Sequence, residues 1–165
     1  MAIQNMNELF LHMLKDVYYA EKQIVKSLPK MASKVGEAKL KQSMEKHLEE
    51  SKHHLERLEE VFQLVNQKPS GETCPAIDGI IKEAEEMMGE IKDANTRDAA
   101  IIAAAQAVEH YEITRYGTLI AWADELGLSK ASTQLKKTLE EEKKTDALLT
   151  KLGEDRVNTK AKSKA

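Results

Sequence analysis

Three stretches of this chain set carboxylates on helical stripes that are otherwise apolar, and a fourth sets imidazoles there. Val17, Glu21, Ile24 and Leu28 share one helical face. Ala105, Glu109, Glu112 and Tyr116 fall on a second face, and Leu135, Leu139, Glu142, Asp146 and Leu149 on a third. His47, Glu50 and His54 line one side of a fourth, close to Leu48 and Leu55. Burying an unpaired carboxylate costs several kcal/mol, so inward carboxylates at one level of a bundle call for a compensating charge. The Lys and Arg residues lie mostly on outer faces, which leaves a divalent cation. Carboxylate oxygens with one or two imidazoles suit iron or manganese.

Two-metal carboxylate bundles take one Glu from each of two helices and a Glu-x-x-His from each of the other two. Here Glu21 supplies a single Glu, Glu50-Ser-Lys-His53 is a Glu-x-x-His, and Glu109-His-Tyr-Glu112 is a Glu-x-x-Glu. The last helix departs from the pattern: Glu141 is followed at three by Lys144, and Glu142 by Thr145. One imidazole is missing, Asp146 is the available substitute, and a one-metal or asymmetric site stays open. Two local choices stay open as well. Periodicity turns His54 further inward than His53, although His53 fits the motif. Periodicity prefers Glu142, whereas a faint repeat prefers Glu141, which follows Glu112 by the same 29 residues that separate Glu50 from Glu21. His47, His110 and Tyr116 are candidates for orienting ligands, with solvent exposure or ordinary packing as the competing reading for each.

The elements that must position these residues are helices throughout, because apolar positions recur at helical spacing and nowhere alternate as in a strand. The first long helix is expected from about Asn5 to Val35, kinked at Pro29 and ended by Gly36. The second runs from about Glu37 to Gln67. A loop, Lys68-Pro-Ser-Gly-Glu-Thr-Cys-Pro75, then leads to a shorter helix over about Ala76 to Asp93. The third long helix is capped at Asn95 or Thr96 and stopped by Gly127. The fourth is capped by Ser129 and runs to about Gly153. Two antiparallel hairpins joined by a long crossover that holds its own short helix make an all-α, ferritin-like four-helix bundle. The bundle is expected over 1–155, with 156–165 as a Lys-rich frayed tail.

The 165 residues suit one domain with a sizeable core. A net charge of −3 leaves no broad basic footprint for nucleic acid. No apolar run approaches membrane-spanning length, and no secretory leader is evident. The single Cys74 excludes an internal disulfide. These features point to the cytoplasm. Ile77, Ile80, Ile81, Met87 and Met88 on the short helix exceed what one small bundle obviously covers, which points to a homodimer.

Several phrases together resemble the bacterial YciE/YciF family, and most closely its YciF branch, over about residues 5–155. They are Asp16-Val-Tyr-Tyr-Ala-Glu-Lys-Gln23, His47-Leu-Glu-Glu50, Arg97-Asp-Ala-Ala100, Val108-Glu-His-Tyr-Glu-Ile113, Tyr116-Gly-Thr-Leu119 and Thr138-Leu-Glu-Glu-Glu-Lys143. The resemblance implies a ferritin-like fold, a dimer, a bacterial cytoplasmic stress protein and a metal site, and no defined reaction. A non-catalytic scaffold bundle and a miniferritin-like storage cage are the alternatives.

Overall fold

The computed structural model describes residues 2–163, and all of its regular structure is helical. Helix α1 spans Met6–Lys34, α2 Ala38–Leu64, α3 Pro75–Glu90, α4 Ala94–Glu125 and α5 Ser129–Leu152. A π-helical turn, Gly153–Val157, joins α5 to the short α6, Asn158–Lys162.

Local chemistry sets the ends. The Asn5 side chain accepts from the Glu8 amide at 3.0 Å, and Glu8 reaches back to the Gln4 amide at 2.8 Å, so two orphan amide donors are satisfied reciprocally. Helix α1 runs through Pro29 without ending. Asp93, not Asn95 or Thr96, caps α4, accepting from the Thr96 amide at 2.9 Å. Ser129 is the first residue of α5 and makes no side-chain cap. Gly127 closes α4 at φ +70°, a conformation that favours glycine. Gly36 has a different use. Its φ is not positive, and its amide and that of Glu37 donate to the buried Asp98 carboxylate at 2.9 and 2.8 Å. A Cβ there would sit 3.3 Å from Asp98 Oδ2.

The four long helices form a ring in the order α1–α2–α5–α4, with each packed on its two neighbours. Leu40 of α2 and Ile101 of α4 belong to one apolar block, and Leu58 and Leu119 to the other. Helices α2 and α4 therefore run parallel, as a long crossover requires, and the ring neighbours run antiparallel. Helix α3, in the crossover, packs on α4 and α1. It buries Ile77 and Met88 against its own bundle and leaves Ile80, Ile81 and Met87 half-buried. Cys74, just before α3, is buried, with Sγ 3.2 Å from Tyr111 Oη.

The expected boundary at 155 falls inside the helical continuation of α5. Val157 is buried, Arg156 donates to Glu37 at 3.1 Å, and α6 packs on α4. The helix continues because Val157 returns an apolar residue to the core side. Residues 164 and 165 of the predicted tail lie outside the described residues.

Candidate metal centre

In each long helix the polar inward residues stand between members of the two apolar blocks. Glu21 lies between Val17 and Ile24, His47 and His54 between Met44 and Leu58, Glu109 and Glu112 between Val108 and Tyr116, and Glu142 between Leu135 and Leu149. Because the helices are packed in register, this position becomes one layer across the bundle. All six polar side chains there are essentially inaccessible to solvent, none above 3%.

His54 Nδ1 lies 2.9 Å from Glu142 Oε1 and 3.2 Å from Glu21 Oε1. His47 Nε2 is 3.2 Å from Glu109 Oε1, and its Nδ1 is 3.9 Å from Glu142 Oε2. These are close approaches without hydrogen-bond alignment. Glu21 Oε2, both nitrogens of His47, His54 Nδ1, Glu109 Oε2 and all four oxygens of Glu112 and Glu142 are buried with no hydrogen-bond partner among the described residues. Orphaned buried donors and acceptors on this scale are rare in native proteins. Tyr116 is one polar group in the layer that is satisfied, donating to Glu21 Oε1 at 2.6 Å.

The charges divide unevenly. Burial, then the Glu142 charge, pushes the Glu109 and Glu112 carboxyls well above the usual glutamate range. Burial would raise Glu142 too, but the His54 imidazole, 2.9 Å away, and its charge hold it below that range. Burial would lower His54, but Glu21 and Glu142 outweigh it and lift the imidazole to about 11. Burial dominates at His47 and lowers it, so that ring stays neutral and keeps a lone pair. Burial, then the Glu21 charge, raises the Tyr116 phenol well above its ordinary value.

The layer thus joins four Glu and two His, the composition of a two-metal carboxylate site, with a different distribution over the helices. Both imidazoles come from α2, seven residues apart, so the missing histidine of the last helix is replaced from its ring neighbour. Their donors fall into two groups, His47 with Glu109, Glu112 and Glu142, and Glu21 with His54 and Glu142, each having ligand atoms within 4.8 Å of one another.

The other sequence candidates stand outside the layer. Glu50 is half-buried and bonded to Lys46 at 2.6 Å. His53 is exposed, 3.0 Å from Glu56. Glu141 is gripped by Arg57 and touches the outer edge of His54. Asp146 accepts from Gln106 at 2.9 Å, and the exposed His110 lies 3.3 Å from it. The Glu-x-x-His match therefore selected the solvent side of α2, whereas helical periodicity selected the core side. His47, read only as a ligand-orienting candidate, sits within the layer. The signal that marks it is its seven-residue spacing from His54, two helical turns on one face.

The chain matches the model of a domain of unknown function, DUF892, over residues 5–162. It is 45% identical to protein YciF of Escherichia coli over the full length of both chains. The crystal structure of that stress protein superposes with a TM-score of 0.89 at 46% identity, covering 94% of this chain and 99% of that one. YcfI of Rhodopseudomonas palustris superposes equally well, with a TM-score of 0.89 at 55% identity over 90% of this chain and 94% of that one. A Xanthomonas campestris protein at 20% identity shares the fold, with a TM-score of 0.76 over 94% of this chain and 95% of that one.

Proposed function

The chain belongs to the DUF892 family, and from that premise we propose that it is a metal-binding stress protein whose core takes two iron or manganese ions. The stress role is carried over from the Escherichia coli relative. The observation that supports the metal is the orphaned donor set: carboxylates and imidazoles buried together, most of whose inward atoms have no hydrogen-bond partner among the described residues. Glu142 belongs to both donor groups, with Oε1 toward His54 and Oε2 toward His47.

Iron or manganese bound here supplies redox chemistry toward oxygen or peroxide. The residues of the chain hold the ions, exclude bulk water and limit access. The gap beside His47 and Glu109, walled by Ile24, Leu28, Met31 and Met44, has a volume of about 10 Å³. That is room for roughly one water-sized molecule, which supports a small reactant such as dioxygen, peroxide or water. The same tightness favours a second reading, a scaffold bundle in which the metal is only a staple.

In this reading the protein is cytoplasmic and homodimeric, with Ile80, Ile81 and Met87 of α3 at the contact. A monomeric mass by light scattering at tens of micromolar refutes the dimer, and a many-subunit particle favours a storage cage. For the metal, protein purified without chelator and supplied with Fe(II) or Mn(II) is expected to retain about two ions per chain. The Glu142→Gln variant should lose most of both. If the wild type retains neither metal, the reading fails. Retained iron with no Fe(II) oxidation above buffer selects the scaffold.

A further inference from the structure

Glu141 and Glu142 are adjacent, yet only Glu142 faces the donor layer. Glu141 accepts from Arg57 through two nitrogens, Nη1 at 2.6 Å and Nη2 at 3.0 Å. Arg57 Nη1 also donates to Thr138 Oγ1 at 3.2 Å, which ties the guanidinium to α5 one turn before Glu141. A carboxylate held this way by a guanidinium is ionised and can only accept. Its other polar contact among the described residues is His54 Nε2, 2.9 Å from Glu141 Oε2.

That contact decides the imidazole. The group facing an acceptor-only carboxylate must be an N–H, so His54 Nε2 carries a proton. The other nitrogen, Nδ1, is turned inward, 2.9 Å from Glu142 Oε1 and 3.2 Å from Glu21 Oε1. His47 provides an internal contrast. Both of its nitrogens face the layer, toward Glu109 and Glu142, and no outer carboxylate holds either one among the described residues.

We propose that Glu141, fixed by Arg57, is a positioning residue that locks His54 as an Nδ1 metal donor and is itself withheld from the ligand set. The inference rests on the metal reading above and adds which nitrogen binds and what selects it. Partners of this kind fix the tautomer and ring orientation of a ligating histidine.

The test uses full-length protein labelled with ¹⁵N-histidine and loaded with Zn²⁺ alone, which is diamagnetic. Long-range ¹H–¹⁵N spectra distinguish a metal-bound from a protonated nitrogen, and His54→Gln assigns the His54 signals. The wild type should show His54 bound through Nδ1 and protonated at Nε2. Glu141→Gln keeps an acceptor oxygen and should preserve that pattern. Glu141→Ala should lose the fixed tautomer and weaken Zn²⁺ binding by about tenfold or more, with helix content unchanged by circular dichroism. His54 bound through Nε2, or a Glu141→Ala protein with the wild-type pattern and affinity, overturns the proposal and leaves the metal reading standing. A wild type that takes up no Zn²⁺, Fe(II) or Mn(II) overturns both. If Glu141→Ala does not fold, the wild-type and Glu141→Gln spectra decide the question.

Discussion

Phe62 and Glu112 are both fully buried in the same bundle, one in an apolar block and the other in the layer beside it. Phe62 lies among side chains that want what it offers: Tyr18 packs edge-on with ring centroids 5.6 Å apart, within the block of Phe10, Leu14, Leu58 and Leu119. Glu112 lies with carboxylates and the His47 imidazole, and neither of its oxygens has a hydrogen-bond partner among the described residues. One helical periodicity delivers both residues to the interior. The first is stabilised by being there, and the second is stabilised only if something else arrives. A helix stripe specifies depth, while the chemistry of the layer specifies what the depth is for.

The largest expected effect comes from damaging the apolar block. Phe62→Ala should destabilise the protein by about 3–5 kcal/mol, since a fully buried ring leaves a cavity that tight packing only partly closes. Urea unfolding measures it, and a loss under 1 kcal/mol, roughly a surface-like response, would erase the contrast.

Metal and pH should separate the two regions next. In metal-free protein the raised Glu109 and Glu112 carboxyls keep protons that the unfolded chain has released. Their contribution is therefore lost as pH rises above the ordinary glutamate range. His54 has the same sign, with its contribution fully present below 6.5 and lost as pH climbs toward about 11. Glu142 opposes them, because its lowered value makes its contribution disappear as pH falls. Metal-free Tm should accordingly decline from mildly acid to alkaline pH. Bound metal requires ionised carboxylates, so the Tm gain from Mn(II) should widen from about pH 5 to about pH 8, and the stabilisation should reach roughly 2.7 kcal/mol at a hundredfold excess over Kd. A gain that is independent of pH would detach the metal from these carboxylates.

A smaller effect is expected at Glu112 itself. In metal-free protein Glu112→Gln replaces a protonated acid by an amide of equal size, so the change in unfolding free energy should stay below about 1 kcal/mol, while metal retention falls. Glu50→Gln is the mildest test. Glu50 pairs with Lys46 on the surface of α2, an interaction that contributes about 0.5 kcal/mol or less, and metal content should not move. Loss of metal in this variant would reinstate the Glu-x-x-His reading and displace His47.

The helices, the two hairpins, the crossover and the depth of Glu21, Glu109, Glu112 and Glu142 were legible in the sequence, because these follow from spacing along one helix and from loop length. The choice between His53 and His54 was also legible, once a 3.6-residue period was preferred to a motif match. The sequence could not decide what is settled between helices. That His47 enters the layer depends on α2 facing Glu109 of α4 and Glu142 of α5. That Glu141 stays outside depends on Arg57, 84 residues earlier in the chain, reaching it across the α2–α5 contact. That Val157 extends the core past 155 depends on how the end of α5 continues and packs on α4. Periodicity assigns each side chain an angle about its own axis, but a ligand set is a relation among four axes, and only their packing fixes that.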